Sequence, residues 1–403
     1  MQARGARLAA VLGLIAALML VAASTAHARP TCLGKKATIV GNKRSNHISG
    51  TAHSDVIVAR GGNDVIQAKN NKANHGEDII CAGPGDDRII GNNDREKLIG
   101  GSGNDYVRPD KGNDLVVGDL ANLSGDAKWH AGNDDLGGAG GNDRVIGDNY
   151  ARYNASGEGN DEFRTGTGND TLIGDSAVRG SGKASGSGKD HFEAMRGRDL
   201  VIGDSYSPGG EASGGGRDIL NAGFKGDVLV GDSYTETGHA TGDGRDKLHG
   251  LTGDDFMYGD NFAGSGAQGL DAGDGGNDSL SGAAGDDHLF GGPGDRDICA
   301  GGDGNDDARF DCEFRFQIPK RAGSTGPPRA RSAPRARRRR HRRVRGLQPG
   351  TAPRPTARAG RPRAPAARRQ RGPTRWGPSA QRPRRRRAWR CRWGYAPNET
   401  DRR

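Results

Sequence analysis

The sequence predicts an all-β fold: a parallel solenoid of Gly/Asp-rich turns and very short strands, ending in a tail that cannot pack a core. Three observations carry this. Gly fills 70 of 403 positions, against roughly 7% in ordinary chains, and each interior Gly costs a helix about 1 kcal/mol relative to Ala. Hydrophobic residues are 32% and aromatic residues 5%, too few for one large core. No Gly-X-Y period occurs, which excludes collagen, but a nine-residue period does.

The segments follow in chain order. Arg4 and Arg7 precede an apolar run from Leu8 to Ala23, and Ala26-His27-Ala28 is a small-x-small cleavage pattern, so residues 1–28 read as a Sec-type signal peptide. No other run reaches the ~18–20 apolar residues needed to span a bilayer. Residues 29–45 form an N-terminal cap, 46–120 regular nonapeptides, 121–298 extended repeats of ~28 residues, 299–320 a C-terminal cap, and 321–403 a disordered Arg/Pro-rich tail.

Residues 100–108, Gly-Gly-Ser-Gly-Asn-Asp-Tyr-Val-Arg, show the unit G-G-x-G-x-D-x-U-x, with U apolar. Position 6 recurs as Asp64, Asp87, Asp105, Asp114, Asp134, Asp143, Asp161, Asp170, Asp190, Asp199, Asp218, Asp227, Asp246, Asp255, Asp278, Asp287 and Asp306. Asn46, Asp55, Asp78, Glu96 and Asp297 stand in the same register. Position 8 is apolar or small at all 22 occurrences, from Ile48 to Ala308, where 32% overall hydrophobicity gives about seven by chance. Positions 1–6 read as a turn in which Gly permits positive φ and close backbone approach. Positions 7–9 read as a strand with its middle side chain inward. Two units make one 18-residue coil. Stacked coils bring position-6 carboxylates together, and these repel unless a cation lies between them. Ca2+ suits carboxylate and carbonyl oxygens, so the position-6 aspartates are the candidate ligands of several Ca2+ ions.

This pattern resembles the hemolysin-type (RTX) calcium-binding repeat family, over roughly Asn46 to Asp306. The resemblance implies a parallel β-roll with Ca2+ held between successive turns by Asp side chains and turn carbonyls. It carries over to Asp64, Asp87, Asp105, Asp143, Asp170, Asp199, Asp227, Asp255 and Asp287. The Sec leader departs from the C-terminal export signal of many members, and no toxin, protease or lipase segment is visible. The leader and the Cys-Leu-Gly-Lys-Lys segment (residues 32–36) look like secreted stand-alone bacterial members.

From Asp114 onward the spacing alternates between nine and about nineteen residues. One half of each coil therefore carries an insertion of ~10 residues, and all insertions are expected to project from one edge. Each begins with Gly-Asp: Asp119, Asp148, Asp175, Asp204, Asp232 and Asp260. These carboxylates read either as further Ca2+ ligands or as turn chemistry. Position 9 before each insertion is apolar (Val117, Ile146, Ile173, Ile202, Val230, Tyr258, with Phe290 in register). Such a stripe is either buried under the insertions or a docking surface.

The net charge of +10 is a sum of opposites. Residues 321–403 hold 28 Arg and two acids, Glu399 and Asp401, while residues 29–320 hold 30 bases and 48 acids, a net of −18. An acidic body excludes nucleic acid as its partner and points to cations. The tail holds 12 of the 18 prolines. It reads either as a polyanion-binding segment or as an out-of-frame extension, given its 28 Arg and no Lys. In an oxidising compartment, Cys32–Cys81 and Cys299–Cys312 disulfides are expected at the two ends of the body, with Cys391 left over, although connectivity is not fixed by sequence. Ten scattered His and one isolated G-x-G-x-x-G (residues 264–269) give no catalytic context. The expected function is a secreted, non-catalytic Ca2+ binder. Its core is one thin aliphatic line, so folding is expected to wait for Ca2+. The alternatives are a surface or matrix module with a cell-wall polymer as partner, and an RTX remnant of an exoenzyme.

Overall fold

The computed structural model describes residues 28–69, 76–128, 131–264, 275–294, 296–308 and 311–317, and every regular element among them is a β-strand. The leader, Cys391, the Arg/Pro tail and most of the G-x-G-x-x-G segment lie outside the described residues.

The chain winds between two twelve-stranded parallel sheets. One runs through His47–Ser49, Arg88–Ile90 and Tyr106–Arg108 to Phe314–Phe316; the other runs from Ile39–Val40 through Lys97–Ile99 and Leu115–Val117 to Asp307–Ala308. Position 8 is in register throughout: Val107 pairs with Ile89 and Leu136, and Val116 with Leu98 and Val145. These side chains meet between the sheets and make the core, in which Phe163 and Phe192 stack at 4.4 Å. All position-8 residues are buried except Ala308, which is half-buried.

The turns show why Gly recurs. Position 2 is left-handed at Gly101 (φ +121°), and position 4 at Gly103 (φ +133°). A methyl group on Gly103 would press on the Gly85 carbonyl oxygen and lie 2.6 Å from its carbon. Turns stacked at strand spacing leave no room for a side chain there. On the opposite edge Asp110, Met195 and Leu251 hold the left-handed position 2 with side chains turned outward.

The insertions lie together on one edge, as the spacing predicts, and there they stack on one another. The first five supply two more strands each, such as Tyr150–Ala151 and Ala155–Ser156, and the sixth supplies Phe262–Ala263 among the described residues; these stack into parallel sheets of six and five strands. Separate loops would leave backbone groups unpaired, whereas stacking pairs each with its counterpart one coil away. The widened coil thus has a side lobe. The lobe covers the position-9 stripe: Val117, Ile146, Ile173, Ile202 and Val230 are fully buried, with Tyr150, Ala177 and Tyr206 packed on the line. Only Tyr258 and Phe290, near the C-terminal end, stay partly exposed. Ala127, Ala151, Ala155, Val178 and Ala184 make a third line inside the lobe. The core is therefore three lines and not one.

Disulfides tie both ends. Cys32, in an N-terminal hairpin, bonds to Cys81 (Cα–Cα 5.8 Å), and Cys299 bonds to Cys312 (Cα–Cα 5.9 Å).

Gly103→Ala is expected to destabilise the Ca2+-loaded protein by about 2 kcal/mol or more, because the new methyl meets backbone at a left-handed residue. Gly140→Ala, whose methyl would lie 3.3 Å from the Thr167 hydroxyl and otherwise in ordinary contact with Lys111 Cγ at 3.9 Å and the Thr167 carbonyl oxygen at 4.0 Å, is expected to change stability by about 0.5 kcal/mol or less. Thermal melts of the two variants check the contrast.

Candidate metal centres between the stacked turns

Position 6 ends each turn, and its side chain folds back under the turn instead of outward. The structure arranges these residues in two files. One holds Asp64, Asp87, Asp105, Asp134, Asp161, Asp190, Asp218, Asp246, Asp278 and Asp297. The other holds Asp55, Asp78, Glu96, Asp114, Asp143, Asp170, Asp199, Asp227, Asp255, Asp287 and Asp306. All are buried.

One carboxylate oxygen of each is used by the fold. The Asp87 N–H donates to Asp105 Oδ1 (2.7 Å), Asp105 N–H to Asp134 Oδ1 (2.7 Å), and Asp114 N–H to Asp143 Oδ1 (2.9 Å). Glu313 closes the first file by accepting the Asp297 N–H at 2.7 Å. The other oxygen has no hydrogen-bond partner among the described residues, at every position-6 carboxylate from Asp64 onward except Asp78. Two residues explain themselves. Thr51 donates its N–H (2.6 Å) and hydroxyl (2.9 Å) to Asp55 Oδ2, and Asn92 donates to Asp78 Oδ2 at 3.0 Å.

The free oxygens face other oxygens. A methyl group on Gly203, at position 1, would lie 2.6 Å from Asp218 Oδ2 and against the Gly231 carbonyl oxygen of the next coil. On Gly282 it would meet Asp287 Oδ2 and the Gly301 carbonyl oxygen, the latter at 2.7 Å. Position 4 is similar: a methyl group on Gly112 would lie 2.7 Å from Asp114 Oδ1, 3.0 Å from its free Oδ2, and against the Asp94 carbonyl oxygen. No three carboxylate, imidazole or thiol groups converge on one point among the described residues. Each gap is lined by one or two carboxylates and by backbone carbonyls from two coils. That donor set is all hard oxygen, which suits Ca2+ and not the thiolate and imidazole preference of Zn2+.

Electrostatics shows what the gaps require. Burial pushes Asp105, Asp143 and Asp227 up to about 8, Asp87, Asp199 and Asp255 to about 7, and Asp114 and Asp287 to about 6. The accepted backbone hydrogen bond pulls each back down in part. Burial and neighbouring carboxylates hold Asp134, Asp161 and Asp246 well above the ordinary range. Like charges one strand spacing apart, ~5 Å, repel by about 3 kcal/mol at an effective dielectric of ~20. A hydrogen bond to a charged group returns ~1.5–3 kcal/mol. That offsets the repulsion at best and leaves the burial of the charge uncompensated, so a proton or a cation must supply the rest.

The Gly-Asp carboxylates sit beside the first file. Asp148, Asp175, Asp204 and Asp232 have no exposed surface, and Asp119 and Asp260 almost none. Each accepts the N–H of the position-4 Gly in its own coil, as in Asp119 Oδ2 from Gly132 (3.0 Å) and Asp260 Oδ1 from Gly276 (2.8 Å). The turn-chemistry reading thus has a physical basis, and it accounts for only part of each carboxylate.

The resemblance implied turn carbonyls without placing them, since they carry no side-chain signal; the structure puts those of positions 1 and 4 at the gaps. Sequence reasoning left Glu96 and Asp297 out of the candidate ligands, although each has an unpartnered oxygen in these files. Their position-6 register was the signal that could have found them.

A family model of the RTX calcium-binding nonapeptide repeat matches residues 37–66, 74–107, 82–116, 156–177, 240–264 and 272–308. No curated protein and no solved structure matches the chain significantly.

The raised carboxylates set a pH dependence. A carboxyl whose pKa is higher in the folded than in the unfolded chain favours the fold below its unfolded value near 4, and this contribution is lost as pH rises through the folded value. Chelated protein is therefore expected to keep more strand structure at pH 4.5 than at pH 8, with loss centred between about 6 and 8. Ca2+ affinity is expected to rise over the same window as protons leave. Circular dichroism across pH, with and without chelator, checks both trends; equal or greater structure in the chelated protein at pH 8 contradicts them.

Proposed function

The chain carries RTX calcium-binding nonapeptide repeats across residues 37–308, and from that premise we propose that it is a secreted, non-catalytic Ca2+-binding β-roll that folds and stiffens on its ions. The observation that carries this reading is the row of buried position-6 oxygens without partners, several of which, such as those of Asp105, Asp218 and Asp287, lie beside a carbonyl oxygen of an adjacent coil. The residues that would hold the ions run from Asp64 to Asp306, including Glu96 and Asp297. Ca2+ would supply the positive charge that two files of buried carboxylates lack. Two disulfides and the leader expected at residues 1–28 support an extracellular setting. The absence of catalytic motifs in the sequence supports a binding role.

A second reading, a surface or matrix module in which Ca2+ is structural, is favoured by one observation. Tyr234, Phe262, Tyr258 and Phe290 stack face to face at 4.2–5.4 Å near the C-terminal end of the covered stripe. Sedimentation of the protein with isolated cell-wall fractions, in Ca2+ and in chelator, separates this reading from a simple Ca2+ binder.

The full chain in excess chelator is expected to lose most of its strand signal and to expand, and both changes are expected to reverse on adding Ca2+. Circular dichroism and small-angle scattering measure them. A compact, strand-rich protein at neutral pH in chelator, unchanged by Ca2+, would remove the proposal.

A further inference from the structure

The plain turn and the widened turn can be superposed by register. Gly101 N–H donates to Gly118 O (2.8 Å), Asn133 N–H to Asn104 Oδ1 (2.9 Å), and Asp105 N–H to Asp134 Oδ1 (2.7 Å). Residues 118, 119, 132, 133 and 134 are thus positions 1, 2, 4, 5 and 6 of one opened turn. The side lobe is an excursion made after position 2. Gly101 needs a left-handed backbone at this position, but none of the Gly-Asp aspartates does. The excursion therefore frees position 2 to carry a side chain, and from Asp119 to Asp260 that side chain is Asp.

Two independent observations point to a ligand there. First, Asp119 Oδ1, Asp232 Oδ2 and Asp260 Oδ2 are buried without a partner, and the Asp148 carboxylate lies within hydrogen-bond reach of those of Asp119 and Asp175. Buried anions do not hold that arrangement alone. Second, oxygens of the position-2 and position-6 carboxylates of one coil converge on position 4. A methyl group on Gly188 would lie 2.9 Å from Asp175 Oδ1, 3.1 Å from Asp190 Oδ1 and against the Gly159 carbonyl oxygen. On Gly244 it would lie 2.5 Å from Asp232 Oδ1, 2.7 Å from Asp246 Oδ2 and 2.8 Å from the Gly216 carbonyl oxygen.

We propose that Asp119, Asp148, Asp175, Asp204, Asp232 and Asp260 form a further file of Ca2+ sites along the seam between roll and side lobe. Each ion is shared by the position-2 and position-6 carboxylates of a coil and by position-4 carbonyls. The proposal rests on the Ca2+ reading of position 6 and extends it to a residue that the plain repeat keeps as Gly or turns outward. These ions close the neck through which the chain leaves the roll and returns, so metal as well as the buried stripe holds the lobe.

The test is equilibrium dialysis of the full chain against Ca2+. Asp148→Ala/Asp175→Ala/Asp204→Ala is expected to bind about three fewer ions and Asp175→Ala about one fewer, since each loses a charged oxygen donor. Asp143→Ala/Asp170→Ala/Asp199→Ala, in the opposite file, where position 2 of these three turns is Ala139, Gly166 and Met195, is the companion. A wild-type count in both seam variants, with ions lost in the companion, overturns the seam sites and leaves position-6 binding standing. A wild-type count in the companion overturns the position-6 reading itself. Where the triple seam variant fails to fold, Asp175→Ala decides: one ion fewer supports the proposal and an unchanged count overturns it.

Discussion

The constraint on which everything else depends is a carboxylate buried in a turn that cannot satisfy both of its oxygens. From Asp64 onward, Asp78 apart, each position-6 side chain gives one oxygen to a backbone N–H and leaves the other without a partner, at Asp105 and Asp218 against a carbonyl of the next coil. The accepted hydrogen bond sets the register of the stack. The unpartnered oxygen makes that register costly unless positive charge arrives. In the proposed function the same atoms direct the fold and make it conditional on a ligand, in a chain with little apolar surface.

Gly is the counterpart of that carboxylate. Positions 2 and 4 are left-handed, as at Gly101 and Gly103, and their Cα atoms lie against the backbone of the adjacent turn. This closeness brings carbonyls from two coils to one gap. The side lobe keeps that logic while opening the turn. It lengthens the path between positions 2 and 4, relaxes position 2, and adds two strands whose backbone pairs with the next coil. It also hides the apolar stripe from Val117 to Val230, giving the widened stretch side-chain packing that the plain coils lack.

Much of this is legible in the sequence, because a solenoid repeats each local rule many times. A single Ile89 or Asp105 carries little information, but the same types every nine residues fix the inward position, the strand and the turn. The lobe is harder to read. Its strands are two or three residues long and rest on small residues such as Ala151, Ala177 and Ala184, which give no hydrophobic period. Stacking between coils creates them, and local preference does not. The carbonyl donors are illegible for a simpler reason: every residue has one, and only the backbone path decides where it points. Asp55 and Asp78 show the remaining limit. They match the motif at position 6, yet Thr51 and Asn92 satisfy them, and both partners stand at position 2, where the unit has Gly.

The most direct measurement is an anomalous difference map from crystals of the protein grown in Ca2+. The account predicts rows of peaks along both edges of the roll, one between each pair of successive turns, beside the oxygens of residues such as Asp105, Asp143 and Asp190 that lack a partner. A map without peaks there, with those oxygens bonded to ordered water or to Lys and Arg side chains, would contradict it.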